Sequence, residues 1–350
     1  MDFNIGKVKF SNQKTVIIAE AGVNHLGRMD YAEELIKTAK RAGADIIKFQ
    51  TYKAKKLTIR DAPRFWNWEG ERDDKGSQYD SYSILDSFGQ KEYEKLFSLC
   101  EQYGIEFLST PFDNESANML VSIGMKGFKI ASCDITNIPF LRHIGGFKLP
   151  VLLSTGASTI DEIRNAVEVL EGNGCTDIGI MQCTLCYPTK PENANLNAIK
   201  HIASEFKNHL IGLSDHTLGT IIPAASILYG VSFIEKHYTF DKTLPDSADH
   251  WLSLDEKELS QLVEYVRILE KALGESHKQK MPCETDTHKF ARRSLVSKKN
   301  IKKGHILTEA DLTCKRPGTG LAPAYYDRFI GRQTKHDIPE DTLLQIDDIE

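Results

Sequence analysis

A chain of 350 residues with a formal net charge of −5 has no global basic field, so nucleic acid is excluded as a general partner and any anionic ligand must be held by a few local Lys or Arg residues. The 41% hydrophobic and 27% charged composition suits a soluble protein of one large and one small domain, and no apolar run reaches the roughly 18 residues needed to cross a membrane as a helix. Seven scattered cysteines, and an N-terminus Met1-Asp2-Phe3-Asn4 with neither a basic flank nor an apolar signal core, predict reduced thiols and a cytoplasmic location.

Short apolar runs alternate with helical patterns through most of the chain. Strands are predicted at 16–22, 45–51, 106–112, 128–132, 150–156, 178–184, 210–217 and 233–239, each rich in Val, Ile, Leu or Phe and each breaking into a polar or Gly-containing end. Amphipathic helices are predicted between them, at 30–42 and 91–103, stopped by Gly43 and Gly104, at 159–172, opened by a capping-box pattern, and at 255–273, ended by Gly274. Eight such strand–helix units over about 260 residues point to a closed (β/α)8 barrel. A doubly wound open sheet is the runner-up, and it is weakened because no Gly-x-Gly-x-x-Gly follows the first strand.

Residues 53–89 form an unusually long connection that includes Trp66, Trp68, a charged stretch at 69–75 and Tyr79; it reads equally as a surface excursion or as a lid. The barrel is expected to occupy 1–274. A polar stretch without periodicity, 275–288, reads as a linker to a small β-rich module at 289–350.

In a barrel of this kind the reactive groups sit where the strands finish. Those ends carry Glu20, Lys48 with Gln50, Thr110, Lys129 with Ser132, Ser154, Thr184, Ser214 with His216, and His237. Alternation along a strand puts Lys48 with Gln50, and Ser214 with His216, on one face, and turns Lys236 outward toward the helices. Two imidazoles ending neighbouring strands, His216 and His237, suit a divalent metal with open positions, although an isolated histidine pair is more often simply hydrogen-bonded. Lys48 and Lys129 end mostly apolar strands and need an anion. The hydroxyls of Thr110, Ser132, Ser154 and Ser214 suit a phosphate plus a carboxylate there. Pairing with an internal carboxylate, for which Glu20 is the neighbouring candidate, and a lysine Schiff base are the competing readings. Cys183 and Cys186 lack the second pair of a structural zinc site and read as incidental thiols.

With these residues in view, the chain resembles the sialic acid synthase family over nearly its whole length. The motifs that carry the resemblance are IIAEAGVNHLG (17–27), KFQTY (48–52), LSTPF (108–112), KIAS (129–132), LSTGAS (153–158), CTLCYPT (183–189), GLSDHT (212–217), EKHYT (235–239) and KRPGTG (315–320), the last belonging to the family's antifreeze-like (SAF) domain. The resemblance implies a (β/α)8 barrel, a divalent ion (manganese, or magnesium or cobalt in its place), phosphoenolpyruvate as donor, and an open-chain N-acetylated amino sugar as acceptor. It makes His216 and His237 metal ligands and assigns Lys48, Thr110, Lys129, Ser132, Ser154 and Ser214 to phosphoenolpyruvate. It places Glu20, Gln50, Tyr187, Asp249 and Phe290 at the sugar, with Arg316 reaching it from the other chain of a domain-swapped homodimer. Glu20 is then placed to act as general acid or base. One position departs from the family pattern: Leu185 stands where a polar donor-binding residue is usual, so that contact is either missing or replaced by Thr184. Two further readings compete: a phosphoenolpyruvate-dependent synthase acting on a phosphorylated sugar, and a non-catalytic carbohydrate-binding protein.

Overall fold

Each of the eight apolar runs forms a strand with almost every residue buried, as expected of a parallel sheet covered on both faces. The computed structural model describes residues 2–66, 76–244 and 249–350, and the chain divides into two compact units, Met1–Gly274 and Glu275–Glu350. In the first unit a hairpin of β1 (Phe3–Ile5) and β2 (Val8–Phe10) precedes the barrel strands β3 (Val16–Gly22), β4 (Ile46–Thr51), β5 (Glu106–Pro111), β6 (Phe128–Ile130), β7 (Val151–Ser154), β8 (Ile178–Cys183), β9 (Leu210–Asp215) and β10 (Phe233–His237). These eight are parallel in the order β5-β4-β3-β10-β9-β8-β7-β6, and β5 and β6 lie side by side, so the sheet is a nearly closed barrel.

The predicted helices are present at Met29–Ala42, Gln90–Tyr103, Ile160–Gly172 and Glu256–Leu273. Gly43 and Gly104 adopt φ of 90° and 68°, the left-handed conformation that ends a helix at little cost to glycine. Thr159 and Glu162 form the expected reciprocal cap, with the Thr159 amide donating to Glu162 Oε2 at 2.7 Å. No helix among the described residues is long and apolar enough to cross a membrane.

The N-terminal hairpin was not predicted: three-residue strands are too short to show alternation. It packs beneath the barrel, where Phe10 meets Phe233 edge-on at 5.5 Å and stacks on Phe3 at 5.0 Å. In the long connection, Ala54–Leu57 and Gln78–Leu85 are helical, while Trp68 and the charged stretch 69–75 lie outside the described residues.

Lys236 points out of the barrel, as alternation predicts. Its Nζ is 2.7 Å from Asp215 Oδ2, with both side chains buried, and it also donates to the Thr217 carbonyl. Removing one partner of a buried ion pair leaves an uncompensated charge, so Lys236→Met should lower the stability of the barrel by about 3–5 kcal/mol. Urea denaturation checks this, and an unchanged midpoint would contradict it.

In the second unit, β11 (Ser294–Ser297) pairs antiparallel with β12 (Leu312–Lys315) around a small core of Leu295, Ile301, Leu307, Phe329, Ile338 and Leu344. Within the stretch read as linker, Pro282–Glu284 and Thr285–Phe290 form short helical turns, started by Pro282 and by the Met281 amide donating to Glu284 at 2.8 Å. This is a local order that hydrophobic periodicity does not reveal.

Candidate active site

Register sets the polar strand ends level with one another. Glu20 pairs with Lys48 on one side and with His237 on the other, Gln50 with Thr110, and Ser214 with both Cys183 and Glu235. The interior at this level is a compact charged network. Lys48 Nζ lies 2.7 Å from Glu20 Oε2, 3.0 Å from Thr110 Oγ1 and 3.7 Å from Glu235 Oε2, and Lys129 Nζ lies 3.4 Å from Glu235 Oε1. Gln50 donates to Glu20 Oε1 at 2.9 Å, and Ser214 Oγ donates to Glu235 Oε1 at 3.1 Å.

Glu235 is the residue that sequence reasoning missed. The signal is strand alternation: it shares the inward face with His237 two positions later. It answers the question of how two cations are tolerated in the interior, because Lys48 and Lys129 both have internal carboxylate partners. Burial disfavours charge on each of the three. For Glu235 it is outweighed by Lys129 and Lys48, which hold its pKa down to about 2. For Lys48 it is outweighed by Glu20 and Glu235, so the pKa rises. For Lys129 burial prevails over Glu235, and the like charge of Lys48 adds to it, so the pKa falls.

The two histidines sit side by side, ring centroids 5.3 Å apart, with Tyr187 against His216 at 4.1 Å and edge-on to His237 at 5.8 Å. His216 Nδ1 is 2.8 Å from the Thr184 carbonyl, which only accepts, so Nδ1 carries the hydrogen and Nε2 a lone pair. Burial first, and then His237, push its pKa down to about 3, which keeps the ring neutral. His237 Nδ1 faces Asp249 Oδ2 at 3.3 Å; burial opposes its charge, but Asp249 outweighs burial and the pKa rises. A ring that gives one N–H to a carbonyl or carboxylate and keeps the other nitrogen free is the usual form of a metal-binding imidazole. The pair therefore fits a divalent ion. No group of three His, Cys, Asp or Glu suited to hold a metal occurs among the described residues, so further ligands would be water or substrate.

The remaining hydroxyls line the same interior. Ser132 Oγ accepts the Gly156 amide at 2.9 Å, and Ser154 Oγ lies 3.9 Å from Met181 Sδ, a weak contact. The Cys183 thiol faces the interior, with its Sγ 3.7 Å from Ser132 Oγ and 4.0 Å from His216 Nδ1. Cys186 is exposed. Thr184 does not stand in for the polar group missing at Leu185, because its hydroxyl is turned to the Asn193 carbonyl at 2.9 Å. Phe290 and Arg316 belong to the second unit, where both are exposed; the turn after Arg316 is pinned by Ser294 Oγ donating to the Pro317 carbonyl at 2.7 Å and by the Gly318 amide donating to the Lys289 carbonyl at 2.9 Å.

Family models match the chain twice: NeuB family over residues 35–278 and SAF domain over 292–350. The chain belongs to the NeuB family. Among its relatives, the N,N'-diacetyllegionaminic acid synthase of Legionella pneumophila is 36% identical over 348 residues, covering 98% of this chain and 97% of that one. The pseudaminic acid synthase of Helicobacter pylori is 32% identical over 340 residues, covering 97% and 98%. Among solved structures, the N-acetylneuraminic acid (sialic acid) synthetase of Leptospira borgpetersenii, in complex with citrate, superposes with a TM-score of 0.72 at 34% identity, covering 82% of this chain and 95% of that one. The match to this synthetase structure agrees with the barrel read from the strand pattern.

Proposed function

We propose that this NeuB-family chain is a nonulosonic acid synthase that condenses phosphoenolpyruvate with the open-chain form of an N-acetylated amino sugar, giving a nine-carbon 2-keto acid and phosphate. The observation that carries the reading is the buried pair Lys48 and Lys129, with Thr110 bonded to Lys48 and Ser214 to their shared partner Glu235, in the same barrel interior as Ser132, Ser154, His216 and His237. Cations and hydroxyls together suit a ligand bearing both phosphate and carboxylate. The names of the relatives, synthases of legionaminic, pseudaminic and sialic acids, support the product class.

In this reading the enol carbon of the donor bonds to the aldehyde carbon of the acceptor, water adds at the carbon that carried the phosphate oxygen, and phosphate leaves. Lys48 and Lys129 hold the donor's anionic groups and exchange contacts with Glu20 and Glu235 for contacts with the ligand. Glu20, oriented by Gln50 and Lys48, gives or takes a proton at the acceptor oxygen or at the incoming water. Gln50, Tyr187, Asp249 and Phe290 face the acceptor, and Arg316 reaches it from the partner subunit of a homodimer. A divalent ion held by His216 and His237, manganese in this proposal, would polarise the aldehyde oxygen when bound.

The test is an acceptor panel: N-acetylmannosamine and 2,4-diacetamido-2,4,6-trideoxyhexoses, each with phosphoenolpyruvate and Mn2+. Phosphate release should accompany a product whose mass is that of a nine-carbon 2-keto acid. Release with no member of the panel would remove the synthase reading and leave a carbohydrate-binding protein.

A further inference from the structure

The exposed large apolar side chains of the barrel are gathered in two places. Among the described residues of the first unit, Ile59, Phe65 and Ile84 are exposed in the long connection after β4. The others, Leu218, Ile221, Leu228, Tyr265, Ile268 and Leu273, all lie between β9 and the end of the helix Glu256–Leu273. The helices Met29–Ala42, Gln90–Tyr103, Ile160–Gly172 and Asn197–Glu205 expose none. The connection from β9 to β10 folds as a short helix, Ile221–Ala225, continued by a tighter turn, Ser226–Tyr229. It packs against Glu256–Leu273 on one side and against Asn197–Glu205 on the other.

This connection has no charged face. No Asp, Glu, Lys or Arg stands between Asp215 and Glu235, in a chain that is 27% charged. Pro223, Ala224 and Ile227 turn inward and are buried, as the covered side of a barrel helix should be. Leu218, Ile221, Ala225 and Leu228 recur at the same three- and four-residue spacing on the opposite side. There Ile221 is 79% exposed, and Leu218 and Leu228 are each 57% exposed. A helix that is apolar all round belongs in an interior. It also lacks the Lys- and Arg-rich polar face with which a helix lies on a membrane surface. Tyr265 and Ile268, a turn apart on the neighbouring helix Glu256–Leu273, add further exposed apolar area.

We infer that the β9–β10 connection and the exposed side of Glu256–Leu273 form the face on which two copies of this chain meet, each pressing the same surface on the other about a two-fold axis. The core of a protein interface is depleted of charge in the way this stretch is. The flanks select a second copy as the occupant. Exposed Lys200, on the helix to one side, lies over the Tyr229 ring at 4.9 Å, and exposed Glu264 stands on the helix to the other. Neither is in an ion pair among the described residues. Turned about a two-fold axis, each flank faces its complement on the other copy. The inference stands on this surface without the synthase reading, and it adds to the proposed homodimer the face by which the barrels join. It also bears on the site. Leu218 follows His216 by two residues, and the His216 carbonyl accepts the Thr189 amide at 2.8 Å, so a copy seated on Leu218 braces the strand end that bears a proposed metal ligand.

Sedimentation velocity over a concentration series measures the pairing on the full chain. The wild type should be a dimer at micromolar concentration. Ile221→Glu and Ile221→Lys each place a charge in the joined face twice per dimer, so each should raise the dissociation constant at least about a hundredfold and run as a monomer. Their far-UV circular dichroism should match the wild type, because so exposed a side chain contributes little to the core. Mixed in equal amounts, the two variants should pair again, since the same region of each copy meets the other and the introduced charges are opposite. Both variants dimerising as tightly as the wild type would overturn this face and leave the homodimer to other contacts. Variants that are monomeric alone and stay monomeric when mixed would overturn the two-fold arrangement. A wild type that is monomeric throughout overturns both the face and the homodimer. Phosphate release with the acceptor panel, measured on the same wild-type preparation, decides the synthase reading independently of all these outcomes.

Discussion

Chelation should abolish phosphate release by this chain, and Mn2+ should restore it. The expectation follows from the forms in which His216 and His237 are held. The Thr184 carbonyl at 2.8 Å fixes the hydrogen of His216 on Nδ1, and burial keeps that ring uncharged. Asp249 Oδ2 faces Nδ1 of His237 at 3.3 Å. His216 thus presents a nitrogen lone pair, and His237 beside it presents one in its neutral form, so the two rings make a good pair of ligands. Replacing a partner that merely orients a metal-bound histidine costs roughly 10–100-fold in metal affinity, so removing the ring itself in His237→Ala should cost more than that. The variant should still fold, because the ring ends its strand and lies outside the apolar core. Mn2+ titration monitored by calorimetry reads the affinity directly, and far-UV circular dichroism reads the fold. Full turnover in excess chelator would sink the metal reading and return attention to a Schiff base at Lys48 or Lys129, which borohydride trapping with the donor or acceptor would reveal.

The barrel was legible in the sequence because its strands are buried on both faces and its helices are bracketed by chemistry that reads locally. The run VIIAEAG is buried throughout, and its one charged residue falls where the strand reaches the site. Gly43, Gly104 and the Thr159–Glu162 box stand where helices start or stop. The site was legible at the level of which strand ends are polar, since position along a barrel strand is set by period alone. What escaped was pairing. Glu235 lies one turn of the alternation before His237, and its role depends on Lys129, which reaches it from a distant strand; nothing local announces that. Cys183 escaped because a thiol in an apolar run looks the same whether it faces the helices or the interior. The helix Gln78–Leu85 escaped because its sequence, QYDSYSIL, has no apolar stripe: it buries no residue fully and is held by its cap and by the hydrogen bonds that the Ala54 amide and Lys53 give to Asp86 and Phe88 just after it.

Lys129→Met should weaken phosphoenolpyruvate binding by roughly ten- to a hundredfold, the equivalent of the about 1.5–3 kcal/mol that a hydrogen bond to a charged group contributes. Lys129 is the more telling of the two cations. Lys48 is held by Glu20, Glu235 and Thr110, and its loss would disturb the acceptor side as well, whereas Lys129 has only Glu235 as a close ionic partner among the described residues. Burial has already depressed its pKa, so its charge is poorly compensated and an arriving phosphate or carboxylate improves its surroundings. Glu235 sets up a second comparison of opposite sign. It pairs with both lysines, so the donor must compete with it; Glu235→Gln removes that competitor at nearly constant shape and should leave donor binding as tight as in the wild type or tighter. Calorimetric titration with phosphoenolpyruvate measures both variants without requiring turnover. Because Lys129 is paired with Glu235 and not with the acceptor-side Glu20 or Gln50, the sugar constant of Lys129→Met should change little. A donor constant that stays put while the sugar constant rises would move Lys129 to the acceptor side. Glu235→Gln binding the donor as poorly as Lys129→Met would mean that the carboxylate orients the lysines and does not compete for them.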